Sequence, residues 1–344
     1  MDQTFIRRTL FVLGMAALAF LAWRLVDVFL LAFGAVIVAV LLRSIADPIR
    51  DRTPLNDGLS LLVASLLILA LLGGAGWLFG ATVSAQVNEL ARILPQSLSE
   101  VQEEIGRLPF GEQLLEQIDR ADGVASRLGG LFGRVGGYAL SIAGAGTNLL
   151  LVVFAGVYFA LHPRKNRDGL LLLVPRGPRE RIKEAVDASG RALRLWLLGT
   201  LASMVIVGLL TGLGALALGL PSPLALGLFA GLAAFVPIVG PIVSVIPGVL
   251  LAVLQGPQMV LWTLLMYFAV QQVESNVTYP LIQGRTVDLP PALTLFAVLG
   301  LGTLLGPLGV VFATPLAVVI FVLVKMLYLR NTLGEDTKIP GEAG

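Results

Sequence analysis

Four polar side chains recur at helical spacing inside a chain that is otherwise strongly apolar. Positions i, i+3, i+4 and i+7 are taken by Gln271, Glu274, Ser275 and Thr278. A helix would place all four on one face. Because polar groups facing lipid are expensive, we expect this face to point into a helical bundle or toward water. Glu274 could there respond to a proton or a cation, although a carboxylate at the interfacial end of a membrane span would give the same pattern.

Prolines interrupt two of the apolar stretches. One is the 31-residue run 224–254, which is broken at Pro237, Pro241 and Pro247. The other, residues 274–315, contains five prolines. In hydrocarbon, the backbone groups that proline leaves unpaired need partners in protein or in a water-lined cavity. One such segment would be explained by a tolerated kink, whereas two in one chain favour a transport pathway near the middle of the membrane.

The residues predicted to line this pathway come from both stretches. They are Gln271, Glu274, Arg285, Asp288, Pro237, Gly240, Pro241, Pro247, Gly306, Pro307 and Pro315. Arg285 and Asp288 are candidate neighbours of the Glu274 carboxylate. Two short series also echo each other, namely Gly240-Pro241 with Pro247 and Gly306-Pro307 with Pro315. This echo indicates either an internal repeat, which many transporters have, or a chance match.

Composition defines the class of protein. The chain has 344 residues, of which 56% are hydrophobic and 13% are charged. Soluble domains carry about 25% charged residues, so this composition predicts an integral membrane protein. Apolar runs of about 20 residues recur, which favours an all-α, polytopic helical bundle in contact with membrane lipid. The formal net charge of +2 is too small to indicate nucleic-acid binding.

Residues that carry enzyme chemistry are scarce. The absence of cysteine excludes disulfides, thiolate catalysis and cysteine-ligated metals. His162 is the only histidine, and the sequence contains neither a G-x-S-x-G motif nor a P-loop. We therefore predict no metal, no cofactor, no ATP hydrolysis and no enzymatic activity.

Charge and periodicity divide the chain into four parts. These are N-terminal spans at residues 1–80, an amphipathic helical extramembrane insert at 81–136, a transport core at 137–330 and a disordered tail at 331–344. The insert carries Leu98, Val101 and Ile105 at helical spacing, a stripe that would pack within the insert, on a neighbouring subunit or on the membrane. We expect a polar loop at residues 43–58 and a basic cytoplasmic loop at residues 163–194.

The distribution of basic residues predicts the orientation. Because basic loops stay in the cytoplasm, both termini are expected inside and the insert outside. About eight spans satisfy this arrangement if residues 291–305 form a Pro/Gly-broken re-entrant segment. Residues 224–254 either cross once or fold back as a hairpin, since they are too long for one straight span. Pairs of small residues four apart should allow close helix packing, and they are Gly208/Gly212, Gly227/Gly231 and Gly302/Gly306.

An ordered series of residues in the C-terminal third matches a known family. The series is Glu274, Asn276, Pro280, Gly284, Pro290 or Pro291, Gly306, Gly309, Ala313 and Pro315. Together with the Pro237 to Pro247 segment and the layout of spans, insert and basic loop, it resembles the autoinducer-2 exporter family of bacterial membrane transporters. The resemblance covers nearly the whole chain. It implies secondary transport, either autoinducer-2 export or exchange of sodium or lithium for protons, and it adds Asn276, Pro280 and Gly284 to the candidate site.

Three functions are compatible with these features. The first is a secondary transporter of the bacterial cytoplasmic membrane that moves a small solute or exchanges a monovalent cation for protons, assembled as a homo-oligomer. The second is a membrane scaffold that binds other proteins and carries no substrate. The third, an intramembrane enzyme, is disfavoured by the single histidine and the absence of cysteine. We predict the first.

Overall fold

The computed structural model of the chain is helical and contains no strand among the residues that it describes. These are residues 24–71, 146–253, 255–278 and 289–335, with the additional positions 7, 11, 13–15, 17, 20, 21, 73, 74, 77, 280, 281, 287 and 337. The predicted all-α membrane architecture is confirmed. The insert at residues 81–136 lies outside the described residues, as does most of the tail at 331–344.

Nine α-helices are described in the ranges given above. In chain order they are α1 (Val26–Arg52), α2 (Asp57–Leu71), α3 (Gly146–Leu161), α4 (Pro163–Leu171), α5 (Arg179–Ala217), α6 (Pro223–Ala233), α7 (Val239–Val253), α8 (Pro257–Val273) and α9 (Pro291–Leu323). Two π-helical segments follow α8 and α9, at Glu274–Thr278 and Val324–Arg330. Among the described residues, three helices are long and apolar enough to cross a membrane, and they are Val26–Arg52, Arg179–Ala217 and Pro291–Arg330. The number of spans stays a prediction.

The chain forms two compact units. The first comprises Met1–Leu66, Asn148–Leu198 and Arg285–Gly344. The second comprises Leu67–Thr147 and Gly199–Gly284. Helix α5 begins in the first unit and ends in the second.

In the first unit, α1 continues through much of the segment that was expected to be a loop. Only residues 53–56 are non-helical, so the predicted loop at 43–58 is wrong for its first ten residues. The charged side chains there pair with each other along the helix, Arg43 with Asp47 at 3.7 Å and Arg50 with Asp47 at 3.9 Å. Oppositely charged residues three and four apart support a helix, which is why polarity alone misplaced its end.

Arg43 joins three helices of the first unit. Its Nη1 and Nη2 donate to the Asp57 carboxylate at 2.6 and 3.0 Å, which connects α1 to the start of α2. Its Nε donates to the backbone oxygen of Ala160 in α3 at 2.6 Å. Arg194 of α5 adds a contact from its Nη1 to Asp47 at 3.2 Å. Bidentate arginine–carboxylate contacts of this kind fix geometry as well as adding energy.

In the second unit, two glycine pairs interlock where α5 crosses α6. A Cβ atom at Gly227 would lie 2.5 Å from the Gly208 carbonyl oxygen, and one at Gly231 would lie 2.7 Å from the Met204 carbonyl oxygen. Both neighbours are backbone atoms, so the two helices approach as closely as the absence of side chains allows. The packing role expected for these small residues is confirmed.

Residues 224–254 fold back as a helical hairpin. The 11-residue α6 and the 15-residue α7 are about 16 and 22 Å long, too short for a hydrocarbon core of about 30 Å. The turn at residues 234–238 ends with Ile238 at a positive φ of 69°. Gly240 lies just after the turn and packs against the Ala233 carbonyl. A Cβ atom at Gly240 would overlap that carbonyl. Of the two alternatives for this run, the hairpin is the one observed.

Helix α9 is also two helices, joined at Gly306. This residue has φ 65° and ψ −150°, a conformation that is essentially restricted to glycine. A Cβ atom at Gly309 would overlap the Leu301 carbonyl, and a Cβ atom at Gly302 would meet Val310 at 2.8 Å. A straight helix would hold residues eight apart at a distance of about 12 Å, so the chain turns back on itself. The predicted break between residues 305 and 307 is confirmed, while re-entry of 291–305 into the membrane stays a prediction.

The two hairpins align differently from the sequence echo. In each, a buried glycine just after the tip packs on a carbonyl of the first arm, Gly240 on Ala233 and Gly309 on Leu301. Gly240 therefore corresponds in position to Gly309. The sequence echo had paired it with Gly306, three residues earlier. A proline follows each of these glycines in the second arm of its hairpin.

Gly227→Ala is expected to destabilise the protein by roughly 1–3 kcal/mol, because its methyl group must push apart two backbones. The measurement is thermal unfolding of the purified protein in detergent micelles. The control is Gly190→Ala, which has open space around an added Cβ and lies on an exposed face of α5. Alanine in a helix interior should there be neutral or stabilise by about 0.5–1 kcal/mol. Equal melting temperatures for both variants would contradict the close crossing.

Asp57→Asn is expected to lower the melting temperature at neutral pH, because an amide holds Arg43 and Arg50 less strongly. Asp57 precedes the apolar run of α2, and hydrogen bonds from Arg43 hold the pKa of its carboxyl below the usual 3.8. A carboxyl whose pKa is lower in the folded than in the unfolded protein adds stability above the unfolded-state pKa. This added stability is lost as pH falls through the folded-state pKa. The difference between wild type and variant should therefore begin to narrow near pH 4 and close as pH falls below the folded-state pKa.

The matched control for this variant is Asp51→Asn. The Asp51 side chain is 65% exposed and bonds its neighbour Arg50. Exposed pairs contribute little, so this substitution should leave the melting temperature nearly unchanged. A pH-independent difference between Asp57→Asn and wild type would contradict an ionic origin.

Candidate functional site

A cavity of about 300 Å³ lies within the second unit. The C-terminal half of α5, the α6–α7 hairpin and α8 supply its walls. The lining side chains are Val207, Thr211, Ala230, Ala234, Pro241, Ile242, Ser244, Val245, Leu264, Tyr267, Phe268, Val270 and Gln271. None of these side chains is charged, and most are apolar. The cavity is at the lower end of the volume range of small-molecule sites.

Helix α8 turns a polar stripe toward the interior of the second unit. Thr263 and Tyr267 are 0% and 7% exposed, and Gln271 follows one turn later. Spacings of four keep these side chains on one face of the helix. The polar stripe predicted to begin at residue 271 therefore starts two turns earlier, and its first part is buried.

The stripe ends in a hydrogen-bonded carboxylate. Ser203 of α5 donates its Oγ hydrogen to Glu274 Oε1 at 2.9 Å, although 71 residues separate the two in sequence. Gln271 Nε2 donates to Glu274 Oε2 at 3.1 Å and also reaches Ser275 Oγ at 3.4 Å. The half-buried Glu274 is thus held by neutral donors from two helices. The link to the cavity is direct, because Gln271 also lines its wall.

The backbone departs from α-helical geometry at this carboxylate. Residues Glu274–Thr278 form a π-helical segment that directly continues α8. Such segments are rare and occur frequently at functional sites, where the wider turn redirects side chains. Thr278 is buried, whereas Asn276 is exposed and its Nδ2 donates to the backbone oxygen of Gln272 at 2.9 Å.

The structure brings together some of the residues predicted for the site. Gln271 and Glu274 are in contact, and Pro241 lines the same cavity as Gln271. Pro237 lies in the hairpin turn, Gly240 packs after it, and Pro247 lies within α7.

Other predicted residues are elsewhere. Asn276 and Pro280 are exposed. Gly306, Pro307 and Pro315 belong to the first unit. Gly284, Arg285 and Asp288 lie outside the described residues, so their proposed proximity to Glu274 stays a prediction.

Sequence reasoning missed three contributors to this site, namely Ser203, Thr211 and Tyr267. Ser203 and Thr211 are isolated polar residues in an apolar run, which gives no indication of their partners. Tyr267 lies four residues before Gln271 and Thr263 four before Tyr267, so extending the stripe toward the N-terminus would have found it. Among the described residues, no three His, Asp or Glu side chains lie close enough together to hold a metal ion.

Comparisons with known proteins identify relatives along most of the chain. The model of the family described as "AI-2E family transporter" matches residues 9–328. The chain is 29% identical over 321 residues to "Putative transport protein MT0215" of Mycobacterium tuberculosis (strain CDC 1551 / Oshkosh), covering 89% of this chain and 85% of that protein. It is 25% identical over 285 residues to "Putative transport protein YueF" of Bacillus subtilis (strain 168), covering 79% and 76%.

A third similarity is shorter. "Putative transport protein YrrI" of Bacillus subtilis (strain 168) is 30% identical over 164 residues, and the match spans about half of either chain, 46% of this one and 45% of that one. The family match, in contrast, extends over nearly all 344 residues. The protein therefore belongs to the AI-2E family and is a multi-pass membrane transporter.

Proposed function

We propose that the protein is a secondary transporter that moves a small solute or exchanges a monovalent cation for protons, with Glu274 as the coupling or gating group. The observation that carries this proposal is the half-buried Glu274 carboxylate, bonded to Ser203 and Gln271 beside a cavity in the second unit. Intramembrane carboxylates are costly and are typically found on ion and proton pathways. In this chain the carboxylate has two neutral partners that would sense a change in its charge.

Protonation of Glu274 would rearrange its hydrogen bonds. The anionic carboxylate accepts from both Ser203 Oγ and Gln271 Nε2. A protonated carboxyl gains one O–H donor and keeps one acceptor oxygen, a hydroxyl such as Ser203 can rotate to accept, and an amide NH₂ cannot accept. With the proton on Oε2 the Gln271 amide would have to flip or leave, and with the proton on Oε1 it would keep a hydrogen bond to a neutral oxygen, which is weaker than one to a carboxylate. Because that side chain lines the cavity, the protonation state of Glu274 would change the surface that a substrate meets.

The α6–α7 hairpin supplies the wall that we propose to move. Alternating access requires an element with two arrangements, and broken helices at the middle of the membrane commonly provide it. Ile238, at the end of the hairpin turn, holds a positive φ of 69°, which is strained for a β-branched residue. Strain of this kind is characteristic of switch segments. The hairpin also contributes Pro241 and Ser244 to the cavity.

The proposal includes an orientation with both termini in the cytoplasm of a bacterial cell and assembly as a homo-oligomer. The orientation is supported by the basic segment 163–194, because basic loops stay in the cytoplasm. Within this segment Arg167 bonds Asp187 at 2.9 Å, and this hydrogen bond is the main cause of the raised pKa of Arg167.

Glu274→Gln is expected to abolish coupled flux while keeping the size of the side chain, because an amide cannot exchange a proton at this site. Purified protein is reconstituted into liposomes loaded with a pH-sensitive dye, and gradients of sodium, lithium and potassium are applied in turn. Wild type should show proton flux driven by at least one of the three. The variant should fall to the level of protein-free liposomes.

Glu180→Gln is the matched control, since Glu180 is an exposed carboxylate at the start of α5 that pairs with Lys183 at 2.7 Å. Its flux should equal that of wild type. Flux retained in Glu274→Gln would overturn the coupling role of Glu274. An inactive wild type under all three gradients would overturn cation–proton exchange.

A further inference from the structure

We propose that the cavity of the second unit binds an uncharged, largely apolar solute carrying one or two hydroxyl groups, which hydrogen-bond to Thr211 and Tyr267. The inference rests on the proposed transport function and names the class of solute for that same site. Nothing in the chemistry of the lining requires a charged or metal-bound ligand, since its side chains are apolar, hydroxylic or amide-bearing.

Two buried hydroxyl groups in the cavity wall have no partner among the described residues. They are Thr211 Oγ1 and Tyr267 OH. The Thr211 side chain is 0% exposed and that of Tyr267 is 7% exposed. A buried polar group without a hydrogen bond costs about 1–3 kcal/mol, so such groups usually have a partner. A ligand with a hydroxyl group would supply it.

Helical hydroxyls among the described residues include two groups, those that bond a carbonyl of their own helix and those that have no partner. Hydroxyls inside helices commonly donate to the carbonyl four residues earlier. Ser44, Ser65 and Ser189 all do so, at 2.7, 2.8 and 2.8 Å. Thr211 does not, and neither do the buried Ser60, Thr263 and Thr314. Thr211 differs from these three in lining the cavity, so it keeps an unused hydrogen-bonding group in the cavity wall.

The size and character of the cavity limit the ligand. An apolar cavity of about 150 Å³ holds benzene, so a cavity twice as large holds a molecule of roughly ten to twelve non-hydrogen atoms. Leu264, Phe268 and Val245 line it with apolar surface, which favours a hydrocarbon body. A charged solute would be left unpaired at this lining, which is costly in a low-dielectric site.

Gln271 connects such a solute to the proton site. It lines the cavity and donates to Glu274 Oε2 at 3.1 Å. A bound molecule that contacts Gln271 would favour one of its orientations, and protonation of Glu274 would weaken the hydrogen bond that holds the present one. Two groups that bias the same side chain are thermodynamically coupled.

The test compares two probes of equal size that differ only in a hydroxyl. These are 4-fluorophenol and 4-fluorotoluene, whose binding to the purified full-length protein in detergent micelles is followed by ¹⁹F NMR, with protein-free micelles as the baseline. Wild type should bind the phenol roughly 3- to 10-fold more tightly, the ratio that one hydrogen bond provides. Equal affinities would overturn the proposal, because the cavity would then be a simple apolar site.

Three variants separate recognition from folding. Thr211→Val and Tyr267→Phe each remove one unpaired hydroxyl with little change of shape. Each should weaken 4-fluorophenol binding and leave 4-fluorotoluene binding unchanged. The control is Thr263→Val, which removes a buried hydroxyl that also lacks a described partner but does not line the cavity. Its probe affinities should match wild type.

Melting temperatures give a second readout. If the hydroxyls are kept for a ligand, their removal should leave the ligand-free protein equally or more stable, because an unsatisfied group is lost. Lower melting temperatures in Thr211→Val and Tyr267→Phe without selective loss of the phenol would assign the hydroxyls to folding and overturn the proposal. Selective phenol binding without any cation-driven proton flux would refute cation–proton exchange and keep the site. Coupled flux without selective binding would refute the solute class alone.

Discussion

The interior of a membrane contains no water to bond a free backbone group, and this is the constraint that both broken segments would meet at the membrane position predicted for them. Each is resolved in the same way, by two short helices that turn back and pack on each other. A glycine just after the turn makes the close return possible, Gly240 on the Ala233 carbonyl and Gly309 on the Leu301 carbonyl. A side chain at either position would separate the arms. The hairpin of the second unit in turn forms one wall of the cavity, so the candidate site depends on this solution of the backbone problem.

Helix α8 concentrates most of the polar chemistry of the second unit on one face. Its buried Thr263 and Tyr267 lie at one end of that face, and Gln271 and Glu274 lie at the other. The arrangement joins a hydroxyl-bearing cavity to a titratable carboxylate through a single amide side chain. A helix can hold such a sequence of groups in register because its geometry repeats every three to four residues. In the proposed mechanism, coupling between substrate and proton would require only local rearrangements along one helix.

Regular features of the fold could be predicted from the sequence, and features that depend on contacts between distant segments could not. Hydropathy is sufficient for an all-α membrane class, and the shortness of the apolar run 291–305 is sufficient to predict a break near Gly306. The hairpin at 224–254 could not be separated from a kinked span, because the turn depends on the backbone of Ile238 in its packed environment. The end of α1 was missed because hydropathy does not record that charges pair along the helix.

The candidate site shows the same division. Gln271 and Glu274 follow from the spacing of polar residues, whereas Ser203 lies 71 residues from the carboxylate that it bonds. No periodicity connects the two. The sequence echo between the hairpins pairs Gly240 with Gly306. The structure instead pairs Gly240 with Gly309, because these are the glycines that pack on a carbonyl of the first arm. Patterns in a sequence identify elements, and the partners of individual side chains come from their assembly.

The contact between Arg43 and Ala160 has a consequence for how α3 ends. The last four carbonyls of a helix have no partner within it, and Ala160 is the penultimate residue of α3. Pro163, three residues after Ala160, has no N–H to donate. The Arg43 guanidinium supplies the missing donor from a different helix, and its positive charge suits the negative end of the helix dipole. The C-terminus of helix α3 is thus capped by a residue 117 positions earlier in the chain. This contact with α1 fixes the position from which the basic segment 163–194 begins.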